Sequence, residues 1–322
     1  MTSGPVFDVE EELVLVEKQI REAIQSEEQL LTDIAEYVIR AGGKRIRPTV
    51  AVLANKAVGG KNIGKAIRVA ASIELIHSAT LLHDDINDGG EMRRGRESAY
   101  KKFGVQNALV AGDFMFVKAF AIGGTLDPDI VALTASVCAS LAEAEILQRR
   151  QAGDPSLTRE RYLDVVRRKT ALPISAGARI GAILGGGTPE EVEALSEYGL
   201  HLGTAFQIVD DILDIVGEPS VIGKPVGTDL KEGNITLLVL HAMNDGSARR
   251  EELTRILRHP RRTSVQIKRG LTLIRESGAV ERARVDADHY RFLAQKALGS
   301  VRPGPYRDQL TSLADFVVRR NT

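Results

Sequence analysis

Two segments, Asp84-Asp85-Ile86-Asn87-Asp88 and Asp210-Asp211-Ile212-Leu213-Asp214, each close a long apolar run. A chain that writes one carboxylate pattern twice must fold so that something compensates both copies. On a helix, positions i and i+4 share a face, which stacks Asp84 over Asp88 and Asp210 over Asp214. Stacked carboxylates repel, and burying them unpartnered costs roughly several kcal/mol unless a cation or a proton intervenes. Two such clusters at the ends of apolar helices point to hard cations held between them. An oxygen-only ligand set suits Mg²⁺, which keeps several waters and is commonly completed by substrate phosphates.

The remainder reads as helix. Apolar residues recur at helical spacing almost throughout and alternating runs are scarce, so the fold class is all-α. The pattern predicts helices at about 8–40, 46–58, 63–88, 97–122, 129–151, 159–184, 189–216, 234–244, 248–257, 263–276, 279–298 and 304–319. Gly185-Gly186-Gly187 ends one of these, and Thr188-Pro189-Glu190-Glu191 opens the next with a cap, a first-turn proline and a reciprocal acid. No linker or low-complexity tract divides the chain, so residues 1–322 form one expected helical domain, a bundle around a central tunnel. The two aspartate-ended helices are apolar over most of their circumference, which predicts central positions with the cavity between them.

Charge narrows the partners. Forty-three basic residues balance 43 acidic ones, so no global field favours nucleic acid. The single cysteine, Cys138, excludes an intramolecular disulfide, fits a reducing cytoplasm and reads as core filler. Residues 1–12 carry acids and no apolar stretch of the secretory type. The longest nearly uncharged stretch, 119–141, is interrupted by Gly123-Gly124 and Asp127-Pro128-Asp129, and no transmembrane span is expected there.

Around the first aspartate helix, His77, Leu81, Asp84 and Asp88 share a stripe, and around the second Gly203, Gln207, Asp210 and Asp214 do the same. Polar at one end and apolar further back, these stripes describe a deep pocket with a charged mouth. Nearby runs supply phosphate-type donors: Lys44-Arg45-Ile46-Arg47 after a Gly-Gly pair, Arg93-Arg94-Gly95-Arg96, Lys169-Thr170 and Lys224. The site is therefore laid out for two diphosphates, one bridged by metal to the aspartates and one held by basic side chains. Each piece alone has a bland explanation: a lone DxxD or basic run is usually a solvated surface, and a lone histidine a core residue. The doubled pattern in its matching helical context decides against those explanations.

As a set, Gly43-Lys44-Arg45-Ile46-Arg47-Pro48, the run from Ile76 through Asp88 into Arg93-Arg94-Gly95, Lys169-Thr170, Gly203-Thr204-Ala205-Phe206-Gln207 into Asp214, and Gly223-Lys224 with Asp229-Leu230 closely resemble the trans-prenyl diphosphate synthases, over nearly the whole chain. The resemblance implies a helical bundle around a tunnel, a homodimer, and elongation of an allylic prenyl diphosphate by isopentenyl diphosphate. It implies that Asp84, Asp88 and Asp210 coordinate Mg²⁺, three ions with bound diphosphate, while Asp85, Asp211 and Asp214 hold metal waters or lie behind them. Arg93, Lys169 and Lys224 would contact the allylic diphosphate, with Thr170 and Gln207 at its reacting end. Lys44, Arg47, His77 and Arg94 would bind isopentenyl diphosphate. The chain departs from many relatives at Asn234, where they carry lysine, and at Leu238 and Glu97-Ser98, where they carry proline.

Two other classes are weighed against elongation. A class I terpene cyclase usually replaces the second cluster with an Asn/Asp-Ser/Thr-Glu pattern and needs no isopentenyl site. A non-catalytic subunit of a heteromeric synthase typically loses carboxylates, whereas both clusters here are complete. Product length is read from the residues before Asp84. Short-chain members place aromatics there, but this chain has Ala79 and Thr80, then Ile76 and Ser72 one and two turns deeper. A turn rises about 5.4 Å, roughly one isoprene unit, so the expectation is a long, octaprenyl-like product for quinone side chains, with a geranylgeranyl or farnesyl product as the alternative. A cytoplasmic enzyme that touches a membrane peripherally to release such a product completes the expectation.

Overall fold

The computed structural model describes residues 7–124, 126–218, 226–244, 248–259 and 261–320. Helices dominate these: α1 (Glu10–Ala23), α2 (Gln29–Arg40), α3 (Ile46–Ala57), α4 (Ile63–Asp88), α5 (Ala99–Phe103), α6 (Val105–Gly123), α7 (Pro128–Gln151) and α8 (Arg159–Val166). A π turn, Arg167–Ala171, joins α8 to α9 (Leu172–Leu184), followed by α10 (Pro189–Val216), α11 (Thr228–Glu232), α12 (Leu237–Met243) and α13 (Ala248–Arg258). The chain then forms α14 (Ser264–Glu276), α15 (Ala279–Ala297) and α16 (Pro305–Arg319). The described strands are a two-residue antiparallel pair, β1 (Met92–Arg93) and β2 (Arg96–Glu97).

Both aspartate-ended helices form over the expected residues. The start of α10 carries the anticipated reciprocal cap: Glu191 N donates to Thr188 Oγ1 at 3.3 Å, and Thr188 N donates to Glu191 Oε2 at 3.0 Å. Four expectations need correction. The helix predicted over 8–40 breaks between α1 and α2, where Thr32 Oγ1 accepts from Ser26 N and donates to Ile24 O, a side-chain network that replaces helical bonds. The region predicted as helix from 97 holds a strand of the hairpin first, then breaks again at Gly104. Arg94 and Gly95 both take positive φ, 53° and 74°, as a two-residue hairpin turn demands. The helix predicted over 159–184 is interrupted by the π turn. The one predicted from 234 starts at Leu237, after the unforeseen α11.

The largest core cluster joins α1, α2, α3, α4, α6, α9, α10 and α16, with α3 buried along almost its whole length. A second gathers α8 and the second half of α10 with α12 to α15, and a small third one joins α4, α7 and α9. α10 takes part in the first two. It comes unusually close to the π turn, because a Cβ on Gly203 would stand 2.5 Å from Ala171 Cα. That approach brings Gln207, one turn further along α10, against Thr170.

Candidate active site

α4 and α10 end at one cavity of about 900 Å³. Helix C-termini concentrate partial negative charge, so carboxylates placed there are opposed by the backbone as well as by one another. Asp84, Asp85 and Asp88 of α4 line it, with Asp210 and Asp211 of α10. Burial pushes the Asp84 carboxyl up to about 7; Lys169 draws it down, and Glu145 and Asp88 add to the rise. Burial shifts Asp88 upward as well. Asp85 is tied down: its Oδ1 accepts from Arg93 Nε at 2.8 Å and Nη2 at 2.5 Å. Among the described residues no three acidic, histidine or cysteine side chains converge as a ready-made metal site. Asp84, Asp88 and Asp210 around an open mouth fit ions whose remaining ligands are water and substrate oxygens.

On α10 the three aspartates separate. Asp210 Oδ1 accepts from Arg320 Nη2 at 2.6 Å; the same group donates to Phe206 O at 2.8 Å, and the guanidinium lies 3.9 Å from the Phe206 ring centre. Asp211 is buried, with Oδ2 accepting from the Tyr162 hydroxyl at 2.6 Å and Oδ1 from Gln207 Nε2 at 2.9 Å. Burial and then Asp229 push its carboxyl upward, against those two hydrogen bonds. Asp214 does not reach the cavity. It is 1 % exposed, and its oxygens accept from Thr228 N at 3.2 Å and Asp229 N at 3.1 Å at the start of α11. The expected cavity-facing stack of Asp210 and Asp214 is thereby corrected: α11 folds back over Asp214, whereas Asp88 lines the cavity.

The basic residues surround the mouth. Lys169, in the π turn, reaches Glu145 Oε1 at 2.5 Å and donates to Gln148 Oε1 at 3.1 Å. Thr170 Oγ1 donates to Gln207 Oε1 at 2.7 Å. Arg47, His77 and Arg94 line the opposite wall with Arg93. Burial, then the Arg47 and Arg94 charges, hold the His77 pKa well below its ordinary value, so the ring is neutral. Glu74, whose charge reaches both Arg47 and Arg94, is itself bound to Arg45 at 2.6 Å. The wall therefore carries surplus positive charge suited to an anion. Lys44 is not part of the cavity lining; its side chain reaches solvent beside it, and partial desolvation by the surrounding protein, then the Arg320 charge, lower its pKa to about 8. Lys224 and Gly223 lie outside the described residues. Asn234 lines the mouth and donates to Glu232 Oε2 at 2.9 Å.

Behind the mouth the cavity runs down as an apolar shaft. Ile73, Ile76, Thr80 and Leu81 of α4 face Val137, Cys138 and Leu141 of α7 and Ala176 and Ile180 of α9. Cys138 lines this wall and also packs against the largest core cluster, and burial raises its thiol to about 11, which keeps it unreactive. Ile73 and Ile180 of this lining belong to the third core cluster with Val69 and Ile130. Ala79 is not on the wall. It shares a helical stripe with Ser72, which donates to Ala119 O at 2.8 Å, and His83, which bonds Leu109 O at 3.2 Å, so it faces α6 and is wholly buried. Ser72 falls on that same face, and Ile76 and Thr80 form the wall.

Sequence reasoning missed Glu145, Gln148, Tyr162 and Arg320, each of which touches a site residue. The acids Glu143 and Glu145 in the otherwise apolar middle of α7 and an arginine pair near the C-terminus are the available signals; nothing local marks Tyr162.

A family model described as polyprenyl synthetase matches residues 28–274. The chain is 38% identical over 308 residues to octaprenyl diphosphate synthase of Escherichia coli (strain K12), covering 95% of each. It is 39% identical over 314 residues to a short chain isoprenyl diphosphate synthase of Methanothermobacter thermautotrophicus, again covering 95% of each. Its structure superposes on polyprenyl synthase from Caulobacter crescentus CB15 complexed with calcium and isoprenyl diphosphate with a TM-score of 0.93, at 35% identity over 98% of this chain and 96% of that one.

Proposed function

The chain belongs to the polyprenyl synthetase family and is a trans-prenyltransferase, and from that premise we propose that it lengthens an allylic diphosphate by repeated head-to-tail condensation with isopentenyl diphosphate to a long all-trans product of the octaprenyl class. The whole chain serves this one task as a single helical unit. The observation that carries the reading is the pairing of two aspartate-bearing helix ends over a cavity in which, among the described residues, the phenylalanine and tyrosine side chains are Tyr162 and Phe206, on α8 and α10 among the polar groups of the mouth.

Asp84, Asp88 and Asp210 would hold Mg²⁺, three ions in all with diphosphate bound. When present, the metal neutralises charge developing on the departing diphosphate. Arg93, Lys169 and Lys224 grip that diphosphate from the protein side. Lys44, Arg47, the neutral His77 and Arg94 hold isopentenyl diphosphate, and Thr170 and Gln207 face the reacting carbon. As the allylic carbon–oxygen bond breaks, the isopentenyl double bond supplies the electron pair for the new carbon–carbon bond. A proton then leaves the adjacent carbon for the released diphosphate, and no side-chain nucleophile is required.

The growing tail enters the shaft. From Asp84 to Ile73 is about 16 Å of helix, roughly three turns, and further units must pass the aliphatic Val69, Ile73, Ile130 and Ile180 cluster. A short-chain reading rests on that cluster and on the 39% identical short-chain relative. Product sizing after incubation with labelled isopentenyl diphosphate and farnesyl diphosphate separates the two. Chains well beyond C20 are expected, and products that stop at C15 to C20 would replace the long-chain reading.

Two further elements belong to the proposal. α7 buries only Ile130 and Ala144, and α6 exposes Leu109, Val110 and Val117. Both are long and apolar enough to cross a membrane by length and composition. We assign these faces to a homodimer contact of a cytoplasmic enzyme, with peripheral membrane contact at product release. Light scattering should give twice the chain mass, and Val117→Glu should lower it.

A further inference from the structure

Beyond the residues that touch substrate, we propose that Tyr162 is a positioning residue: its hydroxyl fixes Asp211, Asp211 fixes the amide of Gln207, and Gln207 fixes the hydroxyl of Thr170 at the reacting end of the cavity. This inference rests on the elongation reading and adds to it a residue on α8 that carries no charge and no motif. The geometry is a continuous chain, with Tyr162 to Asp211 at 2.6 Å, Gln207 to Asp211 at 2.9 Å and Thr170 to Gln207 at 2.7 Å. Tyr162 is 6 % exposed and packs in the second core cluster, so its ring is held firmly.

The direction of each bond follows from chemistry. Both oxygens of Asp211 accept, Oδ2 from the Tyr162 hydroxyl and Oδ1 from the Gln207 amide, and these two donors favour the ionised carboxylate against its burial. Tyr162 gives its single proton, and Gln207 must turn its NH₂ toward Asp211, which leaves its carbonyl to face Thr170. Thr170 in turn commits its proton to Gln207, and its lone pairs remain for the cavity. A positive charge developing on the allylic carbon meets oxygen lone pairs rather than a hydroxyl hydrogen. That advantage exists in the transition state and hardly at all in the ground state. Without the Tyr162 hydroxyl, one Asp211 oxygen loses its buried donor, Gln207 is the remaining neighbour free to turn, and the polarity of the chain is no longer fixed.

The test is kinetic, on the full-length protein with isopentenyl and farnesyl diphosphates. Tyr162→Phe should lower kcat for the first condensation about ten- to a hundredfold, while both KM values stay within about threefold. Binding of a non-ionising thiolo analogue of farnesyl diphosphate, followed by calorimetry with Mg²⁺, should be unchanged. Thr170→Val should show the same split, and the double variant should be no worse than the weaker single by more than about threefold, because both changes break one chain. An unchanged kcat in Tyr162→Phe, a rise in KM that accounts for the loss, or effects that multiply in the double variant overturns the proposal. Should Tyr162→Phe fold poorly, Asp211→Asn carries the same test one link along: lower kcat with intact analogue binding sustains it, and unchanged kcat overturns it. A wild type that elongates no allylic diphosphate sinks the proposed function and this inference together. A wild type that elongates beside a fully active Tyr162→Phe sinks the inference alone.

Discussion

At the end of α4, Asp84 and Asp88 both face the cavity, whereas at the end of α10 Asp210 and Asp211 reach it and Asp214 is turned into protein. The five-residue patterns match; the chain that follows them does not. After Asp88 the backbone leaves through Gly89 and Gly90 into the β1–β2 hairpin, which returns Arg93 to Asp85 alone. After Asp214 the described chain resumes with α11, whose first amides lie on the Asp214 carboxylate. Counter-charges differ as well. The α4 copy feels Lys169 from across the cavity, while Asp210 is bound directly by Arg320. A repeated motif thus places all three carboxylates of one helix on the cavity and, from the other, two on the cavity and one that caps a helix.

The sharpest way to break that comparison is to remove the carboxylates singly. Asp84→Ala and Asp210→Ala should each lower turnover at least about a hundredfold, as should EDTA, with the fold retained. Asp214→Ala should behave oppositely, keeping turnover within about threefold and losing roughly 1 kcal/mol of stability with the cap of α11. Denaturant melts and steady-state rates on the three proteins decide it. An Asp214→Ala protein that melts like wild type yet has lost turnover as deeply as Asp84→Ala would show that the two copies act alike.

A smaller effect distinguishes the copies by pH. The folded protein holds the Asp84 proton up to about pH 7, above the ordinary carboxylate range, mainly because the group is buried. A group whose folded pKa is raised in this way destabilises the fold when it ionises. The contribution of Asp84 to the stability of the metal-free protein is therefore fully present below about pH 4 and is lost as pH rises toward 7, by a few kcal/mol at most. Thermal melts in EDTA at pH 5.5 and 8.0 should show the fall, Asp84→Asn should flatten it, and Mg²⁺ with diphosphate should offset it. An equally steep fall in Asp84→Asn would move its origin to Asp85, Asp88 or Asp211, which shift in the same direction.

The parts legible in the sequence are those governed by local rules. α4 and α10 follow from apolar period, the Thr188–Glu191 cap and the glycines beyond Asp88. The conjunction of Asp84, Asp210, Arg93 and Lys169 around one cavity follows from charges that must be compensated somewhere. What stayed hidden depends on partners distant in sequence. The break before α2 is stabilised by Thr32, and Tyr162 gains its role from Asp211, 49 residues on. The hairpin at Arg94-Gly95 carries half a turn signal, since Gly95 favours positive φ and Arg94, which takes φ 53°, does not. Ala79 differs from its expected place for another reason: its distance before Asp84 fixes its depth along α4 but not which neighbour its face meets.

That difference between faces yields the finest test, because adjacent residues on α4 should respond differently to the same change. Thr80 lines the shaft and Ala79 packs toward α6. Thr80→Phe places a ring in the path of the growing tail a turn below Asp84, without touching a carboxylate. Products should shorten toward C15 to C20 while the rate of the first condensation is largely retained. Ala79→Phe should instead overpack the α4–α6 contact, costing about 1–3 kcal/mol of stability and leaving the product length of whatever protein folds unchanged. Chain sizing alongside thermal melts reads both outcomes at once. If Ala79→Phe shortens the product without loss of stability and Thr80→Phe does not, the face of α4 that controls length is the one toward α6, and the shaft has been drawn on the wrong side of the helix.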